Sequence, residues 1–167
     1  MGIGATGNAE QGFSVALSAD GNTAMVGGPS DDSSAGAAWA FVGAPVPFGS
    51  FTAKLTISSY KPGFALSSRF TLGATSDGIN PLAETVTLAI NSFMMTIPPF
   101  SFSSCGAGCY FYNGIINGLG VKATITRAGP NTYTFQASAN PNLIRTKDPA
   151  TVMLAIGNDA GTTKVRF

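Results

Sequence analysis

Apolar residues recur at every second position along most of this chain, and this alternation limits the folds that it can adopt. Leu55 and Ile57 alternate with polar neighbours, and so do Val86, Leu88 and Ile90. Such a pattern is typical of antiparallel strands with one face on a core and the other in water. No segment keeps a helical apolar stripe over three turns. We therefore predict an all-β protein with about nine short strands after residue 49, at 54–57, 70–74, 85–90, 93–97, 110–116, 121–126, 133–137, 151–156 and 162–167.

The composition agrees with a folded protein built from short strands and tight turns. Hydrophobic residues make up 44% of the 167 residues and charged residues only 10%, with 21 glycines and 10 prolines. A disordered chain would instead combine low hydrophobicity with high net charge. The strand pattern favours an antiparallel β-sandwich or a flattened barrel. The net charge of +1 gives no indication of a nucleic-acid partner, and no apolar run approaches the ~20 residues of a membrane span.

A short stretch rich in proline and glycine, at residues 43–49, divides the chain. Such a stretch is typical of a stiff linker. We predict an N-terminal β segment with this linker over 1–48 and a sandwich domain over 49–167. The two parts differ in charge, since residues 1–50 carry −4 and residues 51–167 carry +5. This asymmetry could steer one part onto the other, within one molecule or between two.

The N-terminal segment has a pattern of its own at residues 11–42. Its features are a Phe-Ser-Val-Ala strand, an Asp20-Gly21-Asn22 turn and a Val-Gly-Gly-Pro stop at the end of a second strand. These features resemble the FG-GAP repeat of integrin-like β-propellers, so the segment would correspond to one propeller blade. The resemblance implies β-structure and extracellular use. It does not imply a metal, because the turn offers too few oxygen ligands for the six to eight that calcium takes.

The sandwich segment contains an internal repeat. Residues 85–90 (Thr-Val-Thr-Leu-Ala-Ile) return at 151–156 as Thr-Val-Met-Leu-Ala-Ile. Upstream of each copy lies a similar strand followed by an Asn-Pro connection. We interpret the domain as two related half-units that face one another across one core. The second segment is also similar to modules of bacterial secreted and cell-surface proteins.

Both cysteines lie in one short segment, Cys105-Gly106-Ala107-Gly108-Cys109. Gly-Ala-Gly can curl enough to bring the two Cα atoms within about 7 Å, so we predict a local disulfide between Cys105 and Cys109. Free buried thiols are the alternative. Two thiolates without any histidine cannot complete a zinc site by themselves. A disulfide would indicate an oxidising compartment.

The chain contains no histidine, which excludes Ser-His-Asp and Cys-His catalytic arrangements. A carboxylate pair for glycoside hydrolysis stays open among the eight acidic residues, and Glu84 is the acid that turn chemistry explains least. We predict that the protein is not an enzyme. We assign no catalytic residue, no cofactor and no metal site.

Aromatic residues could instead form a platform for sugars. Tyr110 and Tyr112 fall on one side of a predicted strand and Phe111 on the other. If Phe111 faces the core, the two tyrosines are exposed and could stack on a pyranose ring, alone or together with Trp39. Core packing of the tyrosines, with their hydroxyls satisfied at the rim, is the commoner outcome for such residues.

We predict an extracellular or cell-surface, secreted, structural or adhesion module. A blade cannot bury both of its faces alone, so the N-terminal segment has a reason to assemble. We expect a homo-oligomer or polymer, such as a filament subunit, that forms by β-strand addition. The assembly segment would contain Phe13, Val15, Leu17, Met25 and Val26. A carbohydrate-binding module and a fragment of a larger propeller-containing surface protein are the alternative functions.

Overall fold

The computed structural model describes residues 3–18, 23–58, 63–140 and 147–167, and it is all-β. The described residues contain no helix, and their strands form three sheets, none of which closes into a barrel. The chain divides into two compact units, Met1–Ala44 and Pro45–Phe167. The prediction of an all-β sandwich is confirmed. The predicted Asp20-Gly21-Asn22 turn lies outside the described residues.

The first unit is a three-stranded antiparallel sheet with the order β1-β2-β3. Strand β1 spans Ser14–Leu17, β2 spans Thr23–Gly28 and β3 spans Ala37–Val42. Gly27 and Gly28 are the last two residues of β2 and pair with Ala38 and Ala37 of β3, so the strand ends directly before Pro29. A propeller blade has four strands, one more than this sheet.

The second unit contains eleven strands, nine of which overlap the predicted ones. The strand predicted at 70–74 was misplaced, because the structure has it at Gly63–Thr71 and only Phe70 and Thr71 are shared. A six-stranded sheet has the order β5-β6-β12-β11-β10-β9, and a five-stranded sheet has the order β4-β14-β13-β7-β8. The strands are β4 Val46–Pro47, β5 Ser50–Ser58, β6 Gly63–Thr71, β7 Val86–Ile90, β8 Phe93–Ile97, β9 Ser103–Gly106, β10 Cys109–Ile116, β11 Leu119–Arg127, β12 Thr132–Asn140, β13 Ala150–Ile156 and β14 Asp159–Val165.

The core lies between these two sheets. Phe70 and Phe135 contribute the largest side chains from the six-stranded sheet, and both are fully buried. Leu88 and Leu154 come from the five-stranded sheet and are also fully buried. Burial of each such side chain stabilises the fold by about 1.5–3 kcal/mol. The alternation read in the sequence thus reflects a real inner and outer face on most strands.

The internal repeat corresponds to a pseudo-twofold arrangement of the second unit. The hairpins β5–β6 and β7–β8 form one half, and β11–β12 and β13–β14 form the other. Strand β6 pairs with β12, and β7 pairs with β13, with Leu88 opposite Leu154 at the centre. The two halves therefore lie side by side, and each contributes a hairpin to both sheets. The expectation that they face one another across the core was wrong in this respect.

Candidate functional site

The sheet of the first unit has most of its large apolar side chains on one face, while Met25 and Val42 lie on the other. Strand register places Val15, Val26 and Trp39 in one row, and it places Leu17 and Phe41 in the next. Partners in register share a face, while neighbours along a strand point to opposite faces. We call this surface the apolar face, and it consists of Phe13, Val15, Leu17, Val26, Trp39 and Phe41.

Much of the apolar face is exposed. Phe13 is 76% exposed, Val15 62%, Leu17 69% and Phe41 46%. Soluble proteins rarely expose apolar side chains in such a contiguous group unless the group contacts a partner. Four of the residues predicted for assembly, Phe13, Val15, Leu17 and Val26, belong to this face.

Met25, the fifth residue predicted for assembly, lies on the opposite face of the same sheet. Its register partners are Ala16 on β1 and Ala40 on β3. Met25 is 52% exposed among these small side chains. The predicted assembly segment therefore presents two different surfaces, and its large side chains concentrate on one of them.

Trp39 closes one end of the apolar face within the first unit. A Cβ atom at Gly28 would lie 2.8 Å from Cζ3 of Trp39, so the ring rests on the bare backbone of β2. The carbonyl of Ala9 also approaches this point, and Ala9 is buried. Glycine at position 28 is what allows this close approach.

Strand β1 is an edge strand of this sheet. The Ser18 N–H donates to the carbonyl of Thr23 at 2.9 Å, which fixes Ala16 and Ser14 as the residues that exchange hydrogen bonds with β2. In an antiparallel ladder the intervening residues direct their N–H and C=O groups away from that partner. Val15 and Leu17 therefore present main-chain donors and acceptors at the open edge.

Two acidic residues of the first unit are engaged inside that unit. Asp31 is buried, and its Oδ1 accepts a hydrogen bond of 2.6 Å from the Thr6 N–H. Glu10 accepts a hydrogen bond of 2.7 Å from the Ser30 hydroxyl. These bonds give both carboxylates local structural roles, which weakens the expectation that the acidic charge steers this unit onto a basic neighbour.

The predicted disulfide between Cys105 and Cys109 is confirmed. It links the end of β9 to the start of β10 with a Cα–Cα distance of 5.1 Å. Gly106 and Gly108 both have positive φ, at 132° and 70°, which lets the three-residue turn close. The bond stabilises the folded state by about 2 kcal/mol, because it limits the freedom of the unfolded chain. The effect is small because the closed loop is short.

The tyrosines considered for sugar stacking face the core, which is the commoner of the two arrangements weighed for them. Tyr110 and Tyr112 are partly buried and pack against the core, with the Tyr112 ring centroid 6.0 Å from that of Phe102. Phe111 is the exposed aromatic of β10, at 43%. Trp39 belongs to the other compact unit. The structure thus corrects the tyrosine platform, because the strand turns the alternate set of side chains outward.

The outward side of the six-stranded sheet carries positive charge and hydroxyl groups. On β5, β6, β12 and β11 we call this side the outer face. Three of its side chains are the exposed cations Lys54, Arg69 and Lys122. Its other members are mostly short and polar: Thr52, Thr56, Ala65, Ser67, Thr124, Thr126, Thr134, Gln136 and Ser138.

One carboxylate of the second unit is fully buried. Asp159 Oδ2 accepts a hydrogen bond of 2.9 Å from the Ser76 hydroxyl, while Oδ1 has no hydrogen-bond partner among the described residues. Burial raises the pKa of Asp159, Ser76 opposes this by lowering it, and nearby Asp77 raises it further. No cluster of three or more His, Cys, Asp or Glu side chains occurs in the part of the chain that the structure describes.

Glu84 was the acidic residue that a position in a turn explained least, and it has a local structural contact. Its Oε2 accepts a hydrogen bond of 2.7 Å from the Asn80 N–H in the connection between β6 and β7. The Asn80 side chain in turn accepts one of 3.3 Å from the Leu82 N–H. These contacts account for Glu84 as a residue that orders this loop.

Comparisons with known proteins identify no family for the chain. No protein-family profile, curated protein or solved structure matches it. No helix that could span a membrane is found among the described residues.

Proposed function

We propose that this chain is a non-catalytic, extracellular structural module that associates with copies of itself by β-strand addition at β1. The observation that carries the proposal is the edge of β1, where the main-chain groups of Val15 and Leu17 that point away from β2 pair with no other described strand and lie beside exposed apolar side chains. An edge strand of this kind is a template for pairing with another chain. The strand contains no lysine or proline, the residues that commonly prevent an edge strand from pairing with another chain.

A symmetric antiparallel pairing of β1 with β1 of a second copy would give hydrogen-bond partners to the outward main-chain groups of Val15 and Leu17. With the twofold axis at Ala16, Val15 of one protomer lies opposite Leu17 of its partner. Both residues direct their N–H and C=O groups outward, so an antiparallel pair can form hydrogen bonds at both ends. The two apolar faces then lie on the same side of one continuous sheet, because directly opposed residues share a face.

The disulfide supports the extracellular part of the proposal. Disulfides form and persist in oxidising environments such as the extracellular space. The resemblance to an FG-GAP blade supports the same compartment, and it stays a prediction. The absence of histidine from the sequence supports a structural role, as do the local contacts of Asp159 and Glu84.

Val15→Pro tests the proposal in the full chain. Proline removes the outward N–H of residue 15, and an edge strand tolerates it because that N–H makes no bond to β2. We expect wild-type protein to sediment as a dimer or larger species and the variant as a monomer at the same concentration. An unchanged circular dichroism spectrum would establish that the variant is folded.

Val15→Thr is the matched control, since it keeps the N–H and the branched shape but removes apolar character. Strand addition predicts that this variant still assembles. If Val15→Pro assembles like the wild type, strand addition at β1 is wrong. If both variants are monomeric, apolar packing and not main-chain pairing holds the copies together.

A further inference from the structure

The outer face of the six-stranded sheet forms regular rows of side chains. Lys54 on β5, Ser67 on β6 and Gln136 on β12 are register partners, and Thr124 and Phe111 continue the row on β11 and β10. Neighbouring strands lie about 4.8 Å apart, so this row spans about 19 Å from β5 to β10. The row begins with a cation and ends with an exposed aromatic ring.

The cations lie in successive rows. Arg69 on β6, Gln136 on β12 and Lys122 on β11 step diagonally across three neighbouring strands. Lys54 flanks this diagonal on β5, one row from Arg69. An elongated ligand that lies obliquely across the sheet would therefore meet positive charge at intervals along its length.

No described carboxylate of the second unit lies beside these cations. Within the described residues of the outer face there is no aspartate or glutamate, and no ion pair is formed by Lys54, Arg69 or Lys122. The described acids of this unit lie elsewhere, in the connection between β6 and β7, before β13 and at the start of β14. The positive potential of the outer face is thus open to an anionic ligand.

The shape of the outer face suits a thin chain. A groove of about 490 Å³ runs between the long side chains of Lys54 and Lys122, over the short side chains of Ala65, Ser67 and Ser138. The backbones of β5 and β11, which carry the two lysines, are about 14 Å apart at the usual strand spacing. Hydroxyl and amide groups form much of the lining.

This combination of groups favours an acidic polysaccharide over other polyanions. Hydroxyl and amide side chains exchange hydrogen bonds with sugar hydroxyls, and the exposed ring of Phe111 offers an apolar surface to the face of a pyranose. A nucleic acid, by contrast, is generally held by many phosphate contacts and several stacked bases. Among the described residues, the outer face provides three cations, and the adjoining strand β10 adds one exposed aromatic ring, that of Phe111.

We propose that the outer face of β5, β6, β12 and β11 binds a linear polysaccharide bearing carboxylate or sulfate groups. Arg69, Lys122 and Lys54 would hold the anionic groups, and Gln136 and the flanking hydroxyls would hold the neutral hydroxyls between them. Phe111 would contact a sugar ring at the β10 end. This site is separate from the β1 edge and does not depend on assembly.

Isothermal titration calorimetry with the full chain tests the site. The probes are a galacturonate hexamer, its methyl ester, and a heparin hexasaccharide; the first and last separate carboxylate from sulfate recognition. We expect binding of at least one acidic probe, weakened by added salt, and much weaker binding of the methyl ester. No binding of either acidic probe at millimolar concentration would overturn the proposal, as would equal binding of the acid and its ester.

Charge-removing variants locate the site. Lys54→Gln, Arg69→Gln and Lys122→Gln should each weaken binding by about threefold, and the triple variant by more than about tenfold, since exposed charge pairs contribute modestly. Lys164→Gln on β14 of the five-stranded sheet is the matched control and should bind like the wild type. An equal loss in this control would show that only overall charge matters, and tighter binding of a single-stranded DNA oligonucleotide would identify a different class of ligand. Either result would overturn the proposal.

Discussion

At the scale of single residues, Asp159 shows how burial sets a side chain's behaviour. It begins β14 with no exposed surface, and its one observed hydrogen-bond partner is the Ser76 hydroxyl. Since burial disfavours the charged form, the pKa of Asp159 lies above its ordinary value of 3.8. The burial of Asp159 was not predictable from the residue pattern, because an aspartate in an Asn-Asp pair after a strand is typical of an exposed turn.

The raised pKa of Asp159 makes stability depend on pH. The folded protein keeps this proton to a higher pH than the unfolded chain does, so the free energy of unfolding falls as pH rises from about 4 through the raised pKa. We expect Asp159→Asn to remove this dependence and to be more stable than the wild type near pH 7 by about 1 kcal/mol. Thermal unfolding of both proteins between pH 4 and 8 measures this difference in stability.

Ser76→Ala provides the comparison, because it removes the hydrogen bond that favours the charged carboxylate. This variant should lose more stability between pH 4 and 7 than the wild type does. Parallel curves for the wild type and Asp159→Asn over the whole range would show that Asp159 does not titrate as its burial implies.

At the scale of strands, the alternation of apolar and polar residues was enough to predict a strand wherever that strand covers the core. The nine strands predicted after residue 49 are present, because each places alternate side chains between the two sheets, but the strand predicted at 70–74 is displaced to Gly63–Thr71. Strands β4 and β9 were missed, since β4 has two residues and all four residues of β9 are exposed. These two strands are held by main-chain pairing, which leaves no hydrophobic period in the sequence.

Alternation also does not say which set of side chains points inward. On β10 three aromatic residues follow one another, so either set could have met the core. The structure turns Tyr110 and Tyr112 inward and Phe111 outward. A register shift between Cys109 and Tyr110 in the pairing with β9 accompanies this arrangement. Such a local shift depends on three-dimensional pairing and is invisible in the residue pattern.

The pseudo-twofold repeat leads to a test on two paired strands. Leu88 of β7 and Leu154 of β13 are directly opposed and fully buried. We expect Leu88→Ala and Leu154→Ala to destabilise the fold by similar amounts, about 2–5 kcal/mol each, because each leaves a cavity in the same layer. Chemical denaturation measures both.

The double variant adds information, since two residues in contact share one cavity. Its loss of stability should differ from the sum of the two single losses by about 0.5 kcal/mol or more. Additive losses would indicate that the two sites relax independently, and a strong difference between the single variants would contradict the equivalence of the two halves.

At the scale of the whole molecule, the two compact units differ in how well they cover their own surfaces. The second unit buries its apolar residues between two sheets. The first has one sheet, and large side chains on one face of it stay exposed. The sequence predicted this imbalance from the blade-like segment alone. It could not predict that Met25 lies on the other face or that the outer face forms a cationic groove, because both follow from strand register.

Amide hydrogen exchange along β1, measured in dilute and in concentrated solution, tests the assembly proposal most directly. If β1 pairs with a second copy, the Val15 and Leu17 amides should become protected as concentration rises, because only then do they gain acceptors. The Ala16 amide, which bonds to β2 within one molecule, should be protected similarly at both concentrations. Assembled protein in which the Val15 and Leu17 amides still exchange freely would contradict pairing at this edge.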